Sequence, residues 1–303
     1  MKPTINHPQI IAKAEGLLSE KVISQELAKE GADHIVLKVT TESAKRLVVK
    51  VGSDAHTDAF VLKKISSLNI KAPKVIAESE IATEQGKFPL VIMTLLEGIL
   101  LSGVKKNEKP KHIANIVKEV KKVHSIKSPG KGGRVLDVIS GRDYSWKESL
   151  KRNLTGENKE FNWKEVLSKK RVNRDIVEKT LDFALHELKS LTECSDLRLI
   201  HADLNQSNIF IKGKKLIGII DWSDAKFGDP LFDFARFRMN IIHRMNKKCL
   251  NEYSSTLNLT EKQKEIENFY YLVNLLEYVN WFAFDNDQTL LVKQMKLLKN
   301  FIS

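Results

Sequence analysis

The sequence predicts an α+β protein, with strands in its first third and helices over most of the remainder. Two stretches of alternating apolar residues, 34–40 and 46–51, flank a short polar turn and are typical of a β-hairpin. Apolar residues then recur at helical spacing in 111–123, 176–191 and 260–303. With 303 residues, the chain can bury a large core and suits one two-lobed enzyme or two small domains.

Other elements follow from local patterns. Residues 8–30 are predicted to form a pair of helices, because apolar residues recur there at helical spacing. After the hairpin we expect a helix over 58–68, an edge strand over 73–77 and a buried strand over 88–96. Gly98 then ends that strand and begins the mainly helical part of the chain.

Composition disfavours several classes of protein. No run approaches the roughly 18 apolar residues of a spanning helix, and the first residues lack an apolar signal-peptide centre, so we expect a cytoplasmic protein without a membrane partner. Cys194 and Cys249 form no metal or redox spacing and are predicted to be reduced thiols. The net charge of +12 comes from scattered lysines without interleaved aromatics, which favours solvated helix faces over a nucleic acid site.

The stretch richest in chemistry is His-Ala-Asp-Leu-Asn-Gln-Ser-Asn at 201–208. Asp203 and Asn208 are five residues apart, the interval of a phosphotransfer loop in which an Asp takes a hydroxyl proton and an Asn binds magnesium. Asp221 follows after two short apolar runs joined by a turn at Gly213. Because those runs predict a hairpin, we expect Asn208 and Asp221 to lie close together.

Oxygen-bearing side chains at neighbouring strand ends suit magnesium. Mg²⁺ takes such ligands when phosphate oxygens and waters fill its other positions. The alternative is that these Asp and Asn residues only form turns. Turn chemistry does not explain why His201, Asp203, Asn208 and Asp221 occur together in this order. We therefore predict a site for magnesium and a nucleotide.

Three segments together resemble the aminoglycoside phosphotransferase family, a branch of the protein-kinase-like fold that also holds choline, homoserine and fructosamine kinases. They are 201–208, Ile-Ile-Asp-Trp-Ser-Asp-Ala at 219–225, and Gly-Asp-Pro-Leu-Phe-Asp-Phe-Ala at 228–235. The run over 221–229 is most similar to hygromycin B phosphotransferases. The resemblance extends over roughly residues 28–240.

The resemblance implies a fold and a set of roles. The fold is protein-kinase-like, with a small β-rich N-lobe at 1–97 and a larger, mainly helical C-lobe at 98–303. Asp203 is implied as the catalytic residue that orients the acceptor hydroxyl and accepts its proton. Asn208 and Asp221 are implied as the ligands of Mg²⁺.

Nucleotide-binding residues are implied in the same way. A strand that ends in Val-Val-Lys is similar to the third strand of a kinase N-lobe, so Lys50 would contact the α and β phosphates. Asp58 stands where the resemblance places a Glu that pairs with this Lys. Because Asp is one methylene shorter than Glu, we expect a looser ion pair with Lys50. The alternative is that Asp58 caps the N-terminus of a helix. The main chain of Thr94 and Leu96 would bond the adenine edge. The first predicted turn, 41–45, lacks a glycine-rich phosphate loop.

Supporting and acceptor residues complete the set. His201 is implied as a structural residue that bonds backbone around Asp221, and Asp233 as a brace of the catalytic loop. Three carboxylates near the C-terminus are candidates for an acceptor site, with a solvated helix end as the alternative: Glu277, Asp285 and Asp287.

The leading hypothesis is therefore a Mg²⁺-dependent kinase, a monomer or weak dimer, that uses ATP or GTP. It would phosphorylate a hydroxyl of an aminoglycoside-like antibiotic, as in antibiotic resistance, or of a related amino-alcohol or sugar. A metabolite kinase of the choline, homoserine or fructosamine type is the first alternative. A catalytically silent nucleotide-binding module is the second, which the presence of Asp203, Asn208 and Asp221 disfavours. No activation-loop or A-P-E segment follows Asp221, which disfavours a regulated protein kinase.

Overall fold

The computed structural model describes three stretches of the chain: 4–30, 34–284 and 288–302. The chain forms two compact units, each built from two segments: Met1–Val123 with Gln206–Ala225, and His124–Asn205 with Lys226–Ser303. Among the helices of the described stretches, none has the length and apolar character needed to cross a membrane.

The strands have the following bounds in chain order: β1 Val22–Glu30, β2 His34–Thr41, β3 Arg46–Gly52, β4 Val75–Thr83, β5 Gly86–Thr94, β6 Ile99–Leu100, β7 Gly133–Arg134, β8 Arg198–Ile200, β9 Ile209–Lys212, β10 Lys215–Ile219 and β11 Lys226–Gly228. The helices are α1 His7–Leu18, α2 Ala55–Ser66, α3 Pro110–Val123, α4 Val135–Ile139, α5 Trp146–Thr155, α6 Trp163–Ser168, α7 Arg174–Ser190, α8 Pro230–Arg244, α9 Lys247–Leu257, α10 Glu261–Phe282 and α11 Gln288–Ile302.

The first unit contains a five-stranded antiparallel sheet in the order β1-β2-β3-β5-β4. Every second residue of β2 is buried, namely Ile35, Leu37, Val39 and Thr41, as expected for a strand with one face on the core. Ile10 and Ala14 of α1 belong to the same apolar cluster. The predicted hairpin is confirmed as β2 and β3, which pair without a register shift.

Of the two helices predicted over 8–30, the first is confirmed as α1 and the second is wrong. Helix α1 ends where Ser19 adopts a left-handed backbone conformation, with φ of +54°. The chain then continues as strand β1, which pairs with β2. Ile23 and Leu27 on this edge strand are 65% and 42% exposed. Because apolar side chains there are not confined to one buried face, the two-residue period of a strand is lost from the sequence.

Because β1 precedes them, the strands of the predicted hairpin are the second and third strands of the sheet. Lys50 lies on β3 and thus on the third strand, which is the position that the resemblance implied. The turn at 41–45 joins β2 to β3 and is therefore the second connection of the sheet. Residues 31–33, including Gly31, lie outside the described residues.

The predicted hairpin after the 201–208 motif is confirmed as β9 and β10. Gly213 in its turn has φ of +58°, a conformation that glycine adopts without steric cost. Strand β6 pairs with the other edge of β9. Gly98 directly precedes β6, and a Cβ added there would lie 2.5 Å from the carbonyl oxygen of Ile211. A side chain at position 98 would therefore force this backbone contact apart.

The second unit is mainly helical, with α10 packed against α8, α11 and α7. Buried rings of Trp146, Phe232 and Tyr270 meet edge to face, with 5.5 Å between the centroids of the first two. The Tyr270 hydroxyl donates to Asp229 Oδ2 at 2.9 Å and accepts the Trp146 indole N–H at 3.0 Å. Residues 285–287, within the predicted helical segment 260–303, lie outside the described residues.

Candidate active-site residues

Lys50 is the centre of a buried polar cluster in the first unit. It lies on β3, between β2 and β5, and is only 6% exposed. Its Nζ contacts the carboxylate of Asp58, and it donates to Asp221 Oδ1 at 2.8 Å and to Ser223 Oγ at 2.7 Å. The three N–H donors of the ammonium are thereby matched by three oxygen acceptors.

Asp58 is placed by α2, which begins at Ala55, so the N-cap alternative is wrong. Its Oδ2 contacts Lys50 and accepts the Ser223 hydroxyl at 3.0 Å. Its Oδ1 accepts the backbone N–H of Trp222 at 2.6 Å. The expected looser pair with Lys50 is also wrong, because the helix carries the shorter side chain into direct contact with the ammonium.

Two opposing effects set the protonation of this cluster. Burial alone would lower the pKa of Lys50, but the carboxylates of Asp58 and Asp221 outweigh it and raise that pKa above its ordinary value. Burial, followed by the charge of Lys50, lowers the pKa of His34. Lys50 is therefore a permanent cation at neutral pH, which suits the binding of anionic phosphates.

Asn208 and Asp221 are brought together by the backbone of the hairpin. The N–H of Ile220 donates to the carbonyl oxygen of Asn208 at 2.9 Å, and Asp221 follows directly. Asp221 has φ of +65°, a left-handed conformation that Asp tolerates better than most residues. The side chain of Asp221 is 34% exposed, whereas Asn208 is buried. A carboxylate and a carboxamide oxygen are hard donors, so the chemistry of this pair fits Mg²⁺.

Asp203 lies in the second unit, in the loop after β8, and is half-buried. Its Oδ2 accepts the side-chain N–H of Asn205 at 3.0 Å. Its backbone N–H donates to Nδ1 of His201 at 3.2 Å. Since His201 is only 1% exposed and accepts this backbone bond, it is placed to support the loop.

Asp233 is fully buried and bonds the backbone of the same loop. Its Oδ1 accepts the N–H of Ala202 at 2.7 Å, and its Oδ2 accepts the N–H of His201 at 2.8 Å. Nε2 of His124 lies 2.9 Å from Oδ2. Burial alone would raise the pKa of Asp233, but His124 and the bonds at His201 outweigh it and lower that pKa.

Thr94 is the last residue of β5, and Leu96 follows in the connection to β6. The backbone N–H of Thr94 donates to the carbonyl oxygen of Lys74 at 2.9 Å. Its hydroxyl accepts the N–H of Lys74 at 2.9 Å. Because the N–H of Thr94 is already used, its main chain can offer an adenine only the carbonyl oxygen.

Sequence reasoning missed three residues of these clusters. Ser223 donates to and accepts from members of the Lys50 cluster and lies two positions after Asp221. A hydroxyl this close in sequence to a predicted metal ligand could have identified Ser223 as a candidate site residue. His124 and Arg236 carry no comparable signal. Their partners become visible only when distant helices and loops are placed in space.

Glu277 was a candidate acceptor carboxylate, and the structure gives it another partner. It is 8% exposed, and its Oε2 accepts the guanidinium of Arg236 at 3.0 Å. A buried, ion-paired carboxylate does not present its charge to an acceptor, so this hypothesis is wrong for Glu277. Asp285 and Asp287 lie outside the described residues.

The fold belongs to the class of kinase-like phosphotransferases. A thermostable mutant of aminoglycoside phosphotransferase APH(4)-Ia, in its apo form, matches with a TM-score of 0.79 and 16% identity over 98% of each chain. Spectinomycin phosphotransferase APH(9)-Ia, solved with ADP and spectinomycin, matches with a TM-score of 0.67 and 13% identity over 99% of this chain and 95% of that one. The predicted α+β, protein-kinase-like fold is therefore confirmed.

Residues 24–253, about three quarters of the chain, match the family model described as the phosphotransferase enzyme family. The chain belongs to this family, which confirms the resemblance seen in its motifs. Hygromycin-B 4-O-kinase of Escherichia coli is 32% identical over 77 residues, which are 25% of this chain. That match spans only 21% of the length of the relative.

Proposed function

We propose that this protein is a Mg²⁺-dependent kinase that moves the γ-phosphoryl group of ATP, with GTP as the alternative donor, to a hydroxyl of an aminoglycoside-like antibiotic in the cytoplasm. The cluster of Lys50, Asp58 and Asp221 supports this function most strongly. Phosphoryl transfer relies on positioning and charge neutralisation, and a lysine fixed beside a metal-binding carboxylate serves both needs.

Each residue then has a defined task. Lys50 attracts the α and β phosphates through its positive charge. Asn208 and Asp221 hold Mg²⁺ through one carboxamide and one carboxylate oxygen. When bound, the ion neutralises charge on the phosphates. Asp203 orients the acceptor hydroxyl and accepts its proton as the oxygen attacks phosphorus.

An amino-sugar acceptor is supported by the similar proteins. One is a hygromycin-B 4-O-kinase, and APH(4)-Ia has been solved with ADP and hygromycin B. Another was solved with ADP and spectinomycin. Hygromycin B is therefore the first acceptor to test, followed by spectinomycin and other aminoglycosides.

The test is Mg²⁺-dependent release of ADP from ATP by the purified protein with each acceptor. Asp203→Asn removes the proposed base, and Asp175→Asn on α7 is a matched control because Asp175 is a well-exposed acid. We expect one amino-sugar antibiotic to stimulate turnover by wild type and Asp175→Asn but not by Asp203→Asn. Stimulation only by choline or homoserine would replace the proposal with a metabolite kinase. Nucleotide binding without turnover on any acceptor would favour the silent module.

A further inference from the structure

Arg236 and Asp233 lie one helical turn apart on α8. Both reach the same residue of the 201–208 segment, which is the proposed catalytic loop. Asp233 Oδ1 accepts the backbone N–H of Ala202 at 2.7 Å. Arg236 Nε donates to the backbone carbonyl oxygen of Ala202 at 3.1 Å. Side chains three positions apart share one face of a helix. Ala202 is therefore held at both its amide and its carbonyl group.

Ala202 is a residue for which such restraint matters. Its φ of +63° lies in the left-handed region, where a residue with a Cβ is strained and persists only if its surroundings enforce the conformation. The carbonyl group that Arg236 binds belongs to the peptide bond between Ala202 and Asp203. Rotation of this peptide would redirect Asp203, so the bond from Arg236 fixes where that carboxylate points.

Arg236 is itself held in orientation by α10 and α5. Its Nη2 donates to Glu277 Oε2 at 3.0 Å, and Asn153 Nδ2 donates to Glu277 Oε1 at 3.3 Å. The ring of Tyr278 lies 4.5 Å from the guanidinium carbon, within range of a cation–π contact. Arg236 and Glu277 are 7% and 8% exposed, so this ion pair is shielded from water.

A buried ion pair stabilises a fold little more than apolar side chains of similar volume do, because both charges lose their hydration. In this protein the ion pair with Glu277 instead fixes the direction in which the guanidinium of Arg236 points. We propose that Arg236 is a positioning residue for Asp203, with Glu277 and Asn153 setting the direction of its hydrogen bond to Ala202. This inference rests on the proposed function, since that function gives Asp203 the task of accepting the acceptor proton.

Arg238 offers a matched control on the same helix. It pairs with Glu267 of α10, with 3.4 Å between Nε and Oε1, and its guanidinium lies 4.6 Å from the ring centre of Tyr271. It also donates to Asn268 at 2.7 Å. Within the described part of the chain, the partners of Arg238 lie on α10 and not in the catalytic loop. Arg238 thus repeats the ion pair and the aromatic contact without the bond to Ala202.

The experiment compares Arg236→Met combined with Glu277→Leu, Arg236→Lys, and Arg238→Met with wild type. The double variant removes both buried charges, so no unpaired carboxylate remains to unfold the protein. Arg236→Lys keeps the charge but lacks the planar fork that reaches two acceptors at once. The readouts are the melting temperature, kcat, the KM for ATP, and hydrogen exchange of the peptide that contains residues 199–205.

We expect the double variant to melt near the wild-type temperature while kcat falls roughly 10- to 100-fold, as for a misplaced catalytic group, with the KM for ATP unchanged. Arg236→Lys should also lose kcat, and Arg238→Met should keep it. Amide exchange in the 199–205 peptide should become faster in both Arg236 variants.

A folded double variant with wild-type kcat would overturn the positioning role. An equal loss of kcat in Arg238→Met would overturn it as well, since the effect would then follow the loss of any ion-paired arginine on α8 and not the loss of the bond to Ala202. If no acceptor supports turnover by wild type, the proposed function fails, and hydrogen exchange still tests Arg236. Faster exchange in the double variant would then support its hold on Ala202, and unchanged exchange would overturn it.

Discussion

Asp58 Oδ1 accepts the backbone N–H of Trp222 at 2.6 Å, which ties helix α2 to the segment that follows β10. The other oxygen of the same carboxylate contacts the ammonium of Lys50. One buried side chain therefore fixes both the proposed phosphate-binding lysine and the backbone next to Asp221. Because Asp58 is 2% exposed, a side chain of a different length would disturb both contacts.

Replacing Asp58 by Glu, which is one methylene longer, is expected to weaken this cluster. The added methylene would enter a position that is 2% exposed and already contacts Lys50 and the backbone of Trp222. Overpacking a buried position typically costs about 1–3 kcal/mol. Urea unfolding should show that loss in the free energy of unfolding, and calorimetry should show weaker binding of ATP.

Asp58→Asn is the control for size, because it keeps the shape of the side chain and removes its charge. We expect it to weaken ATP binding through the loss of the ion pair with Lys50, without overpacking. Tighter ATP binding by Asp58→Glu at unchanged stability would contradict this account and would show that the cluster has room for the longer side chain.

The proposed roles of Asp203 and Asp221 predict opposite kinetic signatures. Asp203→Asn should keep ATP binding and lower kcat by about 10²–10⁴, the range typical of a lost general base. Asp221→Ala removes a proposed Mg²⁺ ligand and an acceptor of Lys50, so it should weaken Mg²⁺-dependent ATP binding itself. Titration calorimetry with and without Mg²⁺, together with kcat, separates the two. Normal Mg²⁺-ATP affinity in Asp221→Ala would exclude it as a ligand.

The parts of these clusters that the sequence predicted are those set by short spacings. Asn208 and Asp221 are adjacent because two apolar runs and a glycine turn form one hairpin, and each of these signals is local. The strand that carries Lys50 was predicted from its own apolar residues, whereas the role of Lys50 was implied by the resemblance. Local hydrogen bonding and side-chain period decide such elements, so their residues carry the information.

Other parts depend on contacts between residues far apart in the chain. His124 meets Asp233 across 109 positions, and Arg236 meets Glu277 across 41. No period or spacing encodes such pairs, because they arise when helices pack. Strand β1 was missed for a related reason: it lies at the edge of the sheet and exposes apolar side chains, so its pattern does not mark a buried face.

We expect substitution by alanine to lower the free energy of unfolding more at Gly98 than at Gly213. A Cβ at position 98 would lie 2.5 Å from the carbonyl oxygen of Ile211, so Gly98→Ala must separate the backbone there from β9. A Cβ at position 213 meets open space, and Gly213→Ala incurs mainly the left-handed strain of about 1–2 kcal/mol. We expect a clearly larger loss of unfolding free energy in Gly98→Ala, measured by urea denaturation. Equal losses would contradict the close approach at Gly98.

His243 predicts how stability depends on pH. Burial, followed by the charges of Lys293 and Arg244, lowers its pKa from an ordinary value of 6.5 to about 4. Between these two values the unfolded chain binds a proton that the folded protein does not bind. The stabilisation from neutral His243 is therefore complete above pH 6.5, decreases as the pH falls, and is lost by about pH 4.

The size of this effect is limited by the partial exposure of the ring. We expect roughly 2 kcal/mol or less between pH 7 and pH 4, after allowance for screening by solvent. His243→Gln removes the titrating group, so its free energy of unfolding should fall less steeply over that range than that of wild type. Urea unfolding at intervals from pH 7 to pH 4 measures both slopes. Parallel curves would show that the folded protein accepts the proton on His243, which its half-buried position and the two nearby cations argue against.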